Sequence, residues 1–174
     1  AHAAQHRVIS EPDLDSAAES LCSEQAEFGA DDVLASFHQL RRLAKQDRMP
    51  LLSLLQSEPL ELQSSHLSFQ EYYAARALCE GGVVLSGAPP WQWPAWWGNV
   101  LTLGAGMGDA FGRGLLHAAG VGAELDLKGR LGGDRPTVML AVVQLMSGAT
   151  SINLSGNELG VEDFRALAAA LKTN

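Results

Sequence analysis

The chain has 174 residues, 47% of them hydrophobic and 18% charged, with a formal charge of −8. That suits one globular domain or two small ones, not a disordered chain, and the negative balance argues against a nucleic-acid backbone as partner. Cys22 and Cys79 stand far apart outside any C-x-x-C, so neither a disulfide scaffold nor a zinc site is suggested and a reducing compartment is expected.

The N-terminal stretch AHAAQHRVISEPD lacks the basic start and apolar run of a signal peptide. Ser10-Glu11-Pro12-Asp13 is a helix entry, with proline in the first turn and acids at the positive end of the dipole. It predicts a helix to about Phe28, broken by Gly29. Asp31-Asp32 opens a second helix whose residues Val33, Leu34, Phe37, Leu40 and Leu43 mark one apolar face. Arg41, Arg42 and Lys45 lie near its C-terminal end, where cations suit the dipole, and Met49-Pro50 ends it. Leu51 to Leu55 reads equally as a short helix or a buried strand. Leu60-Glu61-Leu62 alternates and reads as a strand.

Ser68-Phe69-Gln70-Glu71 fits a capping box, with Leu67 and Tyr72 placed as its hydrophobic staple and Gly81-Gly82 as the stop. Helices, a small strand pair and a further helix over residues 1–82 suit a winged-helix domain. A Trp/Pro/Gly-rich helical connector follows over residues 83–122. Its prolines break regular helix, and Trp91, Trp93, Trp96 and Trp97 are expected to pack internally rather than to form a binding surface. Short helices are expected around Ala110 to Ala119. Val100 to Leu125 holds Asp109, Arg113 and many glycines, and falls short of the roughly 18 consecutive apolar residues of a membrane span. No membrane partner is expected.

Residues 123–174 repeat themselves. Leu125, Leu127 and Gly129 recur 27 residues later as Ile152, Leu154 and Gly156. After a one-residue slip, Leu131, Gly132, Met139 and Val143 recur 28 later as Leu159, Gly160, Leu167 and Leu171. That period, with the L-x-L-x-x-N-x-L core, indicates two leucine-rich repeats, each a strand and a helix. Val161, Phe164, Leu167, Ala168 and Leu171 form the apolar face of the second repeat's helix. The alternate strand positions Asp126, Lys128, Asn153 and Ser155 align on one concave face suited to a protein partner. Asn157 would bond neighbouring backbone; Gly129-Arg130 stands at its place in the first repeat, which therefore reads as a capping unit. The chain ends LAAALKTN without a helix stop, and the repeats are expected to be truncated there. The predicted fold is α+β and mostly helical.

Two segments carry a family resemblance. HLSFQEYYAARAL resembles the end of the winged-helix region of NACHT-type STAND NTPases, the NLR-like proteins. INLSGNELGVEDFRALAAALKTN resembles the ribonuclease-inhibitor type of leucine-rich repeat, which often follows that region. Together they cover roughly a fifth of the chain. The resemblance implies a cytoplasmic signalling protein in which His66 reaches the phosphates of bound ADP, as an N–H donor beside a helix N-terminus can. The plainer role for His66 is a hydrogen bond at the strand-to-helix corner. It also implies an upstream NTPase domain that binds ADP or ATP. No G-x-x-x-x-G-K-[ST] occurs here, so no cofactor and no enzymatic activity are expected of this chain itself. In the second repeat, Asp163 stands where the family usually has glycine.

Two other readings compete. A stand-alone leucine-rich-repeat scaffold needs no NTPase. NVLTLGAGMGDAF resembles the first motif of S-adenosylmethionine-dependent methyltransferases, with Gly104, Gly106 and Gly108 approaching the cofactor where a strand turns into a helix. There is no G-x-S-x-G elbow, and His2, His6, His38, His66 and His117 show no metal-ligand spacing.

Overall fold

The computed structural model describes residues 8–24, 29–85 and 87–173. The fold is α+β and mostly helical, with seven helices and five short strands among the described residues. Its contacts divide it into two units, Ala1–Gln70 and Glu71–Asn174. The division falls inside a helix rather than at Gly81-Gly82, and residues 83–122 share one core with the repeats.

The first unit begins with β1 (Val8–Ser10) and α1 (Glu11–Glu24). Asp13 Oδ2 accepts from both the Ser10 amide (2.8 Å) and the Ser10 hydroxyl (2.6 Å), which holds the start of α1. The predicted end of this helix at Phe28, like His2 and His6, lies outside the described residues. α2 (Ala30–Lys45) ends four residues before Met49. Val33, Phe37, Leu40 and Leu43 are partly covered along it and Ala44 is buried, whereas Leu34 is exposed. An Arg41–Asp15 ion pair joins α2 to α1.

The undecided stretch at Leu51 becomes β2 (Leu52–Ser57), which pairs antiparallel with β3 (Leu60–Ser64). β1 pairs with the other edge of β3, Ile9 opposite Leu62, giving the order β1-β3-β2. Alternation along β3 buries Leu60, Leu62 and Ser64. A small core follows, in which Leu14, Ala44, Leu60 and Leu62 are covered by Ile9, Leu40, Met49, Leu52 and Leu54.

α3 (Leu67–Glu80) crosses the division. It stops where Gly81 takes φ +79° and its amide donates to the Leu78 carbonyl at 3.2 Å, a left-handed stop that glycine permits. In the second unit two single 3-10 turns (Pro90–Gln92 and Ala95–Trp97) lead into α4 (Gly98–Ala105) and α5 (Asp109–Ala118). Trp91, Trp93 and Trp97 are buried, as expected. The Trp93 and Trp97 rings stack with centroids 3.8 Å apart and planes 9° from parallel. Trp93 Nε1 donates to the Ala88 carbonyl at 2.8 Å.

β4 (Glu124–Asp126) and α6 (Arg135–Met146) are followed by β5 (Ser151–Asn153) and α7 (Val161–Thr173). Asp134 caps α6 by accepting from the Thr137 amide (3.1 Å) and hydroxyl (2.8 Å), with Pro136 in the first turn. α6 is central, packing against both 3-10 turns, α4, α5 and α7. Three glycines set how closely the helices approach. A Cβ on Gly114 would lie 1.9 Å from the Leu78 carbonyl oxygen. One on Gly112 would lie 2.0 Å from Ser147 Oγ, and one on Gly104 would lie 2.3 Å from Phe111 Cζ.

Candidate functional site

β4 and β5 are parallel neighbours, Glu124 opposite Ser151, Leu125 opposite Ile152 and Asp126 opposite Asn153. The pairing runs on past both strands, as the Leu127 amide donates to the Asn153 carbonyl (2.9 Å) and the Gly129 amide to the Ser155 carbonyl (3.0 Å). Gly129 and Gly156 occupy the same left-handed region, at φ +61° and +70°. The residues that repeat in sequence thus repeat in conformation.

The predicted concave-face residues Asp126, Lys128, Asn153 and Ser155 are all exposed. Three of these side chains, Asp126, Asn153 and Ser155, are partly committed to their own loops. Asp126 Oδ1 accepts from the Lys128 amide at 3.1 Å, and Asn153 Oδ1 accepts from the Ser155 amide (3.1 Å) and hydroxyl (2.8 Å). These Asx-type turns fix the side chains while leaving acceptor capacity facing solvent. Lys128 supplies the cation of the strip. At one end Arg130 lies over the Trp91 ring, 5.4 Å from its centroid.

Asn157, buried beneath that strip, ties the two units of the repeat together. Its Nδ2 donates to the Leu127 and Leu154 carbonyls, both at 2.8 Å, and its Oδ1 accepts from the Leu131 amide at 3.0 Å. Its expected bonding to neighbouring backbone is therefore the observed geometry. A second tie was not anticipated. Arg135 Nη2 donates to Asp163 Oδ2 at 2.7 Å and also to the Asn157 and Glu158 carbonyls, at 3.2 and 3.3 Å. The sequence signal was present: Arg135 and Asp163 are 28 residues apart, the same offset that relates Leu131 to Leu159. Asp163 also accepts from the Gly160 amide at 2.9 Å, so the residue found in place of glycine starts α7. The Arg135 hydrogen bond, then the Gly160 amide, hold the Asp163 carboxyl below the usual range against the opposing effect of burial. The same hydrogen bond raises Arg135.

His66 is exposed at the corner between β3 and α3. Its carbonyl accepts from the Ser64 hydroxyl at 2.7 Å, and its ring meets Phe69 edge-on at 5.6 Å. The capping box predicted there is not formed as expected. α3 starts at Leu67, ahead of Ser68, and the buried Glu71 carboxylate accepts from Asn99 Nδ2 at 3.2 and 3.4 Å instead. A buried carboxylate needs such a donor, and that demand outweighs reaching back to an exposed helix end.

The strand that a methyltransferase glycine motif requires is also missing at its place. Asn99 to Leu103 are helical within α4, and Gly104 gives room to Phe111 at the α4–α5 corner. Among the described residues, no three or more His, Cys, Asp or Glu come together as a metal site, and no helix is long and apolar enough to cross a membrane. Comparison with protein-family models, curated proteins and solved structures gives no match.

Proposed function

We propose that the chain is a non-catalytic regulatory and protein-interaction segment of an NLR-like signalling protein working in the cytoplasm. The order strand, two helices and antiparallel hairpin, with the first strand paired to the last as β1-β3-β2, supports the winged-helix reading of the first unit. The observation that carries the proposal is the β4–β5 pair, parallel at the sequence repeat and bridged by Asn157. It supports two stacked leucine-rich repeats.

On this reading Asp126, Lys128, Asn153 and Ser155 contact a protein partner. The winged helix passes that event to an NTPase domain outside this chain, which binds ADP or ATP. His66, exposed beside the start of α3, is the group available to a phosphate.

The test uses the polypeptide that joins this chain to its NTPase domain. Removing a hydrogen bond to a charged phosphate by His66→Ala should weaken ADP binding roughly tenfold or more, read by displacement of a fluorescent ADP. Lys128→Glu should leave ADP affinity unchanged. Parent-like affinity in a folded His66→Ala protein would sink the nucleotide role. A polypeptide with no phosphate-binding loop upstream of this chain would sink the family assignment.

A further inference from the structure

A cleft of about 230 Å³ opens beside α6, between the α4–α5 corner and α7. Ala105 at the end of α4, Val143 of α6 and Ala170 of α7 give it apolar walls, and Asp109, Gln144 and Ser147 give it polar ones. Gly108 holds the corner open. It takes φ +74°, and a Cβ there would meet nothing within 4 Å. Sites for drug-sized ligands begin near about 300 Å³, so this cleft has room for one long side chain and not for a nucleotide or similar cofactor.

Its polar groups include acceptors left without donors. Among the described residues, neither the Asp109 carboxylate nor the Gln144 side-chain amide has a hydrogen-bond or ion-pair partner, although Arg113 stands one turn along α5 from Asp109. The Ser147 hydroxyl donates to the Gln144 carbonyl at 2.8 Å, which leaves its lone pairs unused. The N-terminus of α5 contributes about half a positive charge, against the full negative charge of Asp109, so the mouth of the cleft remains net negative. A cation is therefore favoured over an anion, in a chain whose own charge is −8.

An arginine side chain meets each of these features. Its methylene stem suits Ala105, Val143 and Ala170, and its guanidinium offers a fork of N–H donors to a carboxylate, an amide oxygen and a hydroxyl. The rim points to a protein rather than a free guanidinium compound. Leu140 lies four residues before Gln144 and seven before Ser147, on the same helix face, and is 40% exposed. Arginine is also among the residues that most often anchor protein interfaces by filling a pocket. We propose that this cleft is a docking site for a basic protein segment, which inserts one arginine against Asp109, Gln144 and Ser147 and lays an apolar neighbour on Leu140. The site shares no residue with the strand face and depends on neither the repeat reading nor the nucleotide role of His66.

The test titrates the full chain with N-acetyl-arginine methylamide and follows the backbone amides by nuclear magnetic resonance. Gly108, Asp109 and Ser147 should shift with a Kd on the order of 1 mM, as suits a ligand of this size. The citrulline counterpart, neutral but of the same shape, should bind roughly tenfold more weakly or worse. Asp109→Asn should weaken the arginine compound as much, and Ala105→Leu, which fills the cleft, should abolish the shifts. A leucyl-arginine peptide should bind more tightly than the single residue, and Leu140→Ala should erase that difference. No shift at these amides, equal binding of the citrulline or the glutamate counterpart, or parent-like binding by a folded Asp109→Asn protein overturns the proposal. Equal binding of the two arginine probes overturns it too, because the cleft would then take a guanidinium without a protein around it.

Discussion

Asn157 and Asp163 concentrate the link between the repeat units into two side chains. A carboxamide can serve here because it offers donors and an acceptor together, and the Leu127 carbonyl and Leu131 amide need opposite partners. A leucine at this position would fill the space but take the partner from the Leu131 amide, at about 1–3 kcal/mol for a buried group, and leave the Leu127 carbonyl with the Arg130 amide alone. Asp163 works differently. Its carboxylate is largely covered while the Arg135 side chain is 41% exposed, so solvent weakens the ion pair. Much of its value lies in starting α7 through the Gly160 amide. Because the folded carboxyl titrates lower than the unfolded one, its stabilisation is complete above the ordinary carboxylate range, near pH 4. It is lost as pH falls through the folded value. Asp163→Asn should therefore lower the melting midpoint at pH 7, and the gap from the parent should close on acidification below about pH 4. A gap that stays constant down to strongly acidic pH would exclude the charge as its source.

At the scale of elements, α5 is built around absences. In an exposed helix, Gly→Ala is worth about 1 kcal/mol in favour of alanine. At Gly114 the sign reverses, because the new methyl would meet the backbone carbonyl of Leu78, which has no flexible end to move aside. Gly114→Ala should cost about 3 kcal/mol and lower the midpoint of the second unit by roughly 10 °C or more. Gly87→Ala, with nothing within 4 Å of its Cβ, should have little effect, and scanning calorimetry of the pair would distinguish crowding from a general intolerance of alanine. Neither outcome was legible beforehand. A sequence shows where glycines are, but the partner backbone at Gly114 lies on a helix more than thirty residues away.

The same reasoning sorts the other expectations. The Asp13 helix entry and the Gly81 stop are legible because the atoms they serve lie within a few residues. Glu71 was misread because its partner, Asn99, is remote. Leu51 to Leu55 was undecided until β3 supplied a strand to pair with. On α7 the apolar pattern was read correctly, but only Leu167 of the five named residues is buried. Periodicity announces an apolar face; it does not announce that the face is covered.

At the scale of the molecule there are two cores of unequal size. That of the first unit centres on Leu14, Ala44, Leu60 and Leu62, whereas that of the second runs from Ala75 to Leu167 and includes three tryptophans. The smaller core buries fewer large side chains and should give way first on heating. All four tryptophans lie in the second unit, so indole emission reports only that unit while far-ultraviolet dichroism reports both. Heating should therefore show dichroism falling before emission changes, and coincident transitions would mean that the chain melts as one body. Sequence anticipated the helical content and the internal repeat, which are local or periodic. It placed the boundary at Gly82 because composition changes there, whereas contacts carry the second core back into α3.

The Trp93–Trp97 stack has an optical consequence. Two indoles stacked nearly parallel at 3.8 Å couple their electronic transitions, and in a chiral setting such a pair yields adjacent bands of opposite sign. Part of the chain's ultraviolet dichroism therefore comes from its side chains, and a helix content read from that spectrum alone will be in error by whatever those two rings contribute.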